Sequence, residues 1–245
     1  MRKAGLLLIS IFVLVSSLSA QQAPLFSKED AKILALDYAE RFFEGEVDGG
    51  TTYFAPDNTP SAYVFTVYRG KDNFPSQEEI ISQVAQYREE RLQAEAVLKD
   101  ASRQSCCLDI ESAIQLIDTA WERMRGDDRF ATIVVSLRHE EPHVGMFYAG
   151  LPPHYVSALD AGERAKNALG SSSVHLEKLY YTGPLSFWAE YSAKGQHTFI
   201  DLLYGTDLSP EEFSKAPVPA KENRKRALSK PLIRKIHRTM FMRNT

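Results

Sequence analysis

The sequence predicts an α+β fold with helices packed on antiparallel sheets. Three observations carry this prediction. Stretches with apolar residues every three to four positions alternate with shorter β-branched and aromatic runs of period two. The strand-like runs lie next to one another, separated by short turns rich in Gly, Pro and Asn. An Ala-rich helix followed by strands occurs twice, which gives two helix-plus-sheet modules, the first split by a helical insertion.

Taken in order, Ser27 is placed to cap a helix running to about Glu44, with Ala31, Ala35, Tyr38 and Phe42 on one face. The loop Asp48-Gly49-Gly50 follows. Segments 51–55 and 62–69 are strands around the turn Pro56-Asp57-Asn58-Thr59-Pro60, with Tyr63, Phe65 and Val67 alternating in the second. A helical stretch opens at a Ser76–Glu79 capping box, and Ile80, Val84 and Tyr87 begin its apolar stripe. Further on, Ile110, Ile114, Ile117, Trp121 and Met124 recur at helical spacing up to Gly126 and are assigned to packing. Segments 130–137 and 144–148 form a hairpin. Residues 159–169 are a helix closed by Gly170. Strands follow at 174–181, 185–193 and 197–204. A helix with one apolar stripe covers one sheet face, so the other face is expected to meet water or a partner.

Residues 1–20 read as a secretory signal peptide: Arg2 and Lys3, an apolar run from Leu6 to Val15, then small residues ending at Ser19-Ala20. The run is shorter than the ~20 residues that span a bilayer. The mature protein is therefore expected to be exported and soluble. Beyond the signal, the organisation reads as a module at 21–156 with its insertion at about 70–129, a second module at 157–208, and a basic tail at 209–245.

Charge is divided unevenly. Segment 217–245 holds nine Lys/Arg against Glu222 alone, a net charge of +8. With that tail and the two signal cations set aside, the total of −3 leaves the body at −13. An acidic body with a basic tail suits self-association, an anionic surface, or a tail folding back on its own domain. The export signal argues against nucleic acid as the partner of the basic run 221–226. Cys106 and Cys107 are adjacent, and Cα atoms ~3.8 Å apart are closer than an unstrained disulfide spans.

One motif supports two incompatible readings. His139-Glu140-Glu141-Pro142-His143 spells the H-E-x-x-H pattern of a zinc peptidase, with Glu163 twenty residues on as a third ligand and Glu140 as base. That chemistry needs both histidines on one helical face. Pro142 removes a helical N–H and the flanking runs are β-like, so the segment is read as a solvated hairpin turn. Glu140 and Glu141 are adjacent and form no acid–base pair. His154, His175 and His197 lack ligand spacing and are read as surface or hydrogen-bonded histidines. Ser136 and Ser186 lack nucleophile-elbow glycines. Tyr180, Tyr181, Phe187, Trp188 and Tyr191 are assigned to helix-covered core over a ligand groove. No phosphate loop or dinucleotide fingerprint occurs.

Together, the helix with Ala31, Ala35 and Ala39, the strand Tyr63-Val64-Phe65-Thr66-Val67, the strand 130–136 and the turn reaching Pro142-His143-Val144-Gly145 resemble the Spi-type domain. That is the propeptide and inhibitor module of streptopain-like cysteine peptidases. Met146-Phe147-Tyr148 stands where the family pattern has its last Tyr-Ser segment, and the helical insertion departs from the pattern. The second half, 161–205, is similar to PepSY-like modules. No peptidase domain follows in the sequence, so the resemblance implies a module that occludes or chaperones a separate secreted peptidase. The expectation is an exported, non-enzymatic binding protein with no cofactor, no metal and no catalytic residue. Its partner surface is Arg138, His139, Glu140, Glu141 and His143, docked at the turn or at a sheet edge. The alternatives are an envelope protein whose basic tail touches an anionic surface, and the zinc peptidase.

Overall fold

A computed structural model of the chain describes residues 26–104, 107–138 and 142–215. Among these residues the fold is α+β. In chain order the elements are α1 (Lys28–Phe42), β1 (Glu46–Val47), β2 (Thr51–Phe54), β3 (Pro60–Tyr68), α2 (Gln77–Gln104), α3 (Cys107–Met124), β4 (Phe130–Ser136), β5 (His143–Ala149), α4 (Pro153–Val156), α5 (Ala158–Leu169), β6 (His175–Gly183), β7 (Ser186–Ala193), β8 (Gln196–Asp201), β9 (Asp207–Leu208) and α6 (Pro210–Ser214). All nine strands belong to one sheet, ordered β5-β4-β3-β2-β6-β7-β8-β9, with β1 also on β3.

Every pairing is antiparallel except β2 with β6, where Phe54 lies opposite Tyr180. This parallel step brings the strands of the two predicted modules into one sheet. A single core crosses the join: Tyr53, Val64 and Val134 from the first half pack with Tyr181, Phe187 and Ile200 from the second.

Local chemistry explains most element boundaries. At α1, the Ser27 hydroxyl accepts from the Asp30 N–H and the Asp30 carboxylate accepts from the Ser27 N–H, a reciprocal cap. The small side chains of Ala31, Ala35 and Ala39 let α1 lie close on Phe65, Ile133 and Val135. At α2, Ser76 and Glu79 form the predicted box, at 2.7 Å and 3.2 Å. Gly50 adopts φ +69°, and a Cβ there would meet the Phe65 ring at 2.5 Å, so turn and strand together require glycine.

The central strands are buried on both faces, which corrects the expectation of one wet face. Along β4 every residue is buried. Ile133 and Val135 face α1, whereas Val134 points into the core beneath α5. The residues between the large apolar side chains are small or uncharged (Ala62 and Thr66 on β3, Ala131 and Thr132 on β4), which suits cover on both faces.

The insertion is a helical hairpin of α2 and α3. Its base joins the sheet through Ile80, Val84, Met124 and Phe130. The predicted Ile stripe is only partly packed, since Ile114 is 46% exposed while Ala113, Ala120 and Met124 are the buried line. Small residues on the buried line bring two helices together, and the larger ones are left outside. Cys107 opens α3, and Cys106 lies outside the described residues.

Residues 209–215, read from sequence as the start of a basic tail, form a capped turn of helix. Ser209 and Glu212 make its capping box. Phe213 is buried and stacks on Phe199, with ring centroids 4.1 Å apart and planes at 8°. The charged segment 217–245 lies outside the described residues.

Candidate sheet-edge site

The strand order leaves β5 at one end of the sheet, with β4 as its one neighbour. Its seven residues alternate between exposed and half-buried. The register pairs Val135 with Val144 and Val134 with Met146, so Gly145 is a bulge. Beyond the bulge, Phe147 lies on the α1 face opposite Ile133, and Tyr148 lies on the other face opposite Thr132.

Each face of this edge carries an apolar feature. On the α1 side, Phe42 and Phe147 stack at 5.0 Å and 21°, with Tyr38 at 5.7 Å and Phe43 at 6.0 Å from Phe147. Phe42 is 54% exposed and Phe147 44% exposed, so the cluster is a surface patch. Phe42, read from sequence as part of the buried helix face, instead extends past the sheet edge. On the opposite side, Met146 and Tyr148 help line a cleft of about 420 Å³, together with Trp121, Leu185 and Leu203. Burial pushes the Tyr148 phenol up to about 12, so it stays neutral.

A second, polar cleft of about 570 Å³ adjoins the first, sharing Trp121, Ser157, Leu202 and Leu203. Here α2 is clamped to α5. Arg88 donates from Nε to Asp160 (2.6 Å) and from Nη2 to Glu163 (2.6 Å), and Arg91 Nη2 donates to Asp160 at 2.9 Å. Burial works against the Arg88 charge, but hydrogen bonds to Asp160 and the nearby acids outweigh it and hold its pKa above the usual value. Arg91 lies over the Trp121 ring at 4.5 Å.

The predicted site residues fall around the β4–β5 turn. Arg138 turns back onto the sheet, its guanidinium 6.0 Å from the Tyr181 ring centre and against Gly183. His143 begins β5, exposed, opposite Ser136. His139, Glu140 and Glu141 lie outside the described residues. With His143 in a strand, the motif's second histidine is not on a helix, and Glu163 is engaged by Arg88. Among the described residues no three His, Cys, Asp or Glu side chains are grouped to hold a metal.

Other singled-out residues have identifiable neighbours. His154 Nδ1 is 2.9 Å from the Tyr53 hydroxyl, and burial holds its pKa near 3, so the ring stays neutral. His197 pairs with Glu190 at 2.9 Å, and His175 is exposed on β6. Ser186 Oγ meets Thr182 Oγ1 and accepts from Trp188 Nε1. Tyr180, Tyr181, Phe187 and Tyr191 are buried under α5 and α6 as predicted, and Trp188 is half-buried.

Sequence reading missed the aromatic patch and the clamp. Phe42 and Phe147 are 105 positions apart, and their pairing depends on strand order. The clamp left one trace, arginines at 88 and 91 inside an apolar stripe. No family model, characterised protein or solved structure matches this chain.

Proposed function

We propose that the chain is an exported, non-enzymatic binding protein whose β5 edge accepts an extended segment of a partner protein. The observation that carries this reading is a seven-residue edge strand flanked by apolar features on both faces. An added strand would place alternate side chains on the Phe42–Phe147 patch and in the Trp121 cleft, while its main chain bonds to β5. Natural edges of this length are usually blunted. The Gly145 bulge interrupts this one, which directs pairing to Met146–Ala149 and away from indiscriminate aggregation.

The partner we favour is a secreted cysteine peptidase, held in a blocked or chaperoned state. The Spi-type resemblance of the α1–β3–β4 region supports it, since that resemblance covers the strands next to this edge. The test is inhibition of a streptopain-like cysteine peptidase by the purified full chain, repeated with Phe147→Lys. The reading predicts saturable inhibition, weakened at least about tenfold by the lysine, because edge lysines disfavour strand addition. Equal inhibition by both would remove the edge from the mechanism. No inhibition by either would remove the peptidase.

A further inference from the structure

The cleft behind β5 has a chemistry that strand addition does not use in full. Its walls are mostly apolar, and Trp121 is part of them. An empty cavity of ~150 Å³ suffices for benzene, so 420 Å³ accommodates a group of two to three times that bulk. Its polar lining is sparse. The Ser157 hydroxyl is committed to the Leu202 carbonyl at 2.6 Å, and the Tyr148 phenol is uncharged. The one charged side chain of the lining is Arg125, its guanidinium 5.9 Å from the Trp121 ring centre.

Arg125 differs from the buried arginines of the clamp. Arg88 and Arg91 are both ion-paired with Asp160. Arg125 has no carboxylate partner among the described residues, although Glu122 and Asp128 line a neighbouring shallow depression with it. Two leucines of the lining are also unusual. Leu185 adopts φ +55° and exposes most of its side chain, and Leu203 beside it is 40% exposed. Positive φ is a conformation that favours Gly or Asn over a branched apolar residue. The turn thus presents leucine at the mouth of an apolar cleft where a polar residue suits the backbone better.

We infer that this cleft binds a small amphipathic carboxylate, with its apolar chain against Trp121, Met146 and Leu203 and its carboxylate on Arg125. A chain of about ten carbons matches the cavity, and a charge-assisted bond to the guanidinium fixes its direction. This binding needs no partner main chain, but it occupies the cleft that side chains of an added strand would enter, so ligand and strand compete there.

The probe is decanoate, below its micellar concentration, read by the emission of Trp121 in a Trp188→Phe chain. Calorimetry on the unmodified chain gives the same ranking without relying on that variant. The expected result is a saturable shift, with decanol about tenfold weaker than decanoate. Arg125→Gln should erase that preference, and Leu203→Glu, which places an anion at the lip, should abolish binding. The absence of saturable binding overturns the inference. So does equal binding of decanol and decanoate to the unmodified chain, or binding that survives Leu203→Glu.

Discussion

The two ends of the sheet meet the same physical problem in opposite ways. At one end, β9 is two residues long, and α6 folds over it with Phe213 stacked on Phe199. At the other, β5 presents seven residues whose outer side carries an exposed aromatic patch. An unpaired edge invites association. The molecule keeps one edge strand to two residues beside a helix-covered face, and leaves the other long and dressed for contact. The difference teaches that exposure at β5 is a property of that edge and not of a sheet too small to cover itself.

The sealed end gives the largest expected effect. Phe213→Ala should cost about 3 kcal/mol in denaturant unfolding, the usual range for a buried phenylalanine. It should also expose β8 and β9 to self-association. A cost well under 1 kcal/mol would mean that α6 is not what covers this end of the sheet, and the contrast would fail.

A pH titration sharpens the comparison by loosening the whole sheet at a site away from both ends. His154 has its folded pKa depressed to about 3 by burial, against about 6.5 unfolded. The unfolded chain therefore binds the extra proton first. Stability is complete above pH ~6.5 and falls as pH drops toward 3, by roughly 3 kcal/mol between pH 7 and pH 4. His154→Gln should flatten that part of the profile. An unchanged profile would show that His154 is not the group responsible.

The clamp comes next. Asp160→Asn leaves Arg88 and Arg91 short of their shared carboxylate, which should cost about 2 kcal/mol, less than a fully buried pair because Asp160 retains some exposure. Because Trp121 of α3 lines the cleft and Arg91 of α2 lies over its ring, Trp121 emission should shift in the same variant. An unaffected Trp121 would separate the hairpin from the cleft.

The smallest stability effect belongs to the open edge. Phe147→Ser should cost about 1 kcal/mol or less, since the ring is already half in water and loses mainly its aromatic contacts. Its effect on partner binding should be much larger than its effect on folding. A cost near that of Phe213→Ala would make Phe147 a core residue and remove the contrast between the ends.

What the sequence showed was local. The Ser76–Glu79 box, the Ala31–Ala35–Ala39 line and the strand turns are written within a few residues, and each appears in the structure. The sheet order was not legible. Phe54 meets Tyr180 across 126 positions, and nothing near either residue specifies a parallel partner. The edge follows from that order, so the site went unread while its strand was recognised. Helix α6 was hidden by length, since five residues give no periodicity, although Ser209 and Glu212 carry the capping signature. The stripe at Ile110 to Met124 misled because bulk was taken for burial, whereas close helix approach favours Ala113 and Ala120.

The measurement that tests the central claim most directly is amide hydrogen exchange of the chain alone and with a saturating streptopain-like peptidase. The account predicts that alternate amides of Met146–Ala149, those not bonded to β4, exchange fast in the free chain and become protected in the mixture, while β8 and β9 are unchanged. Protection of those amides already in the free chain, or partner-induced protection confined to other strands, would contradict it.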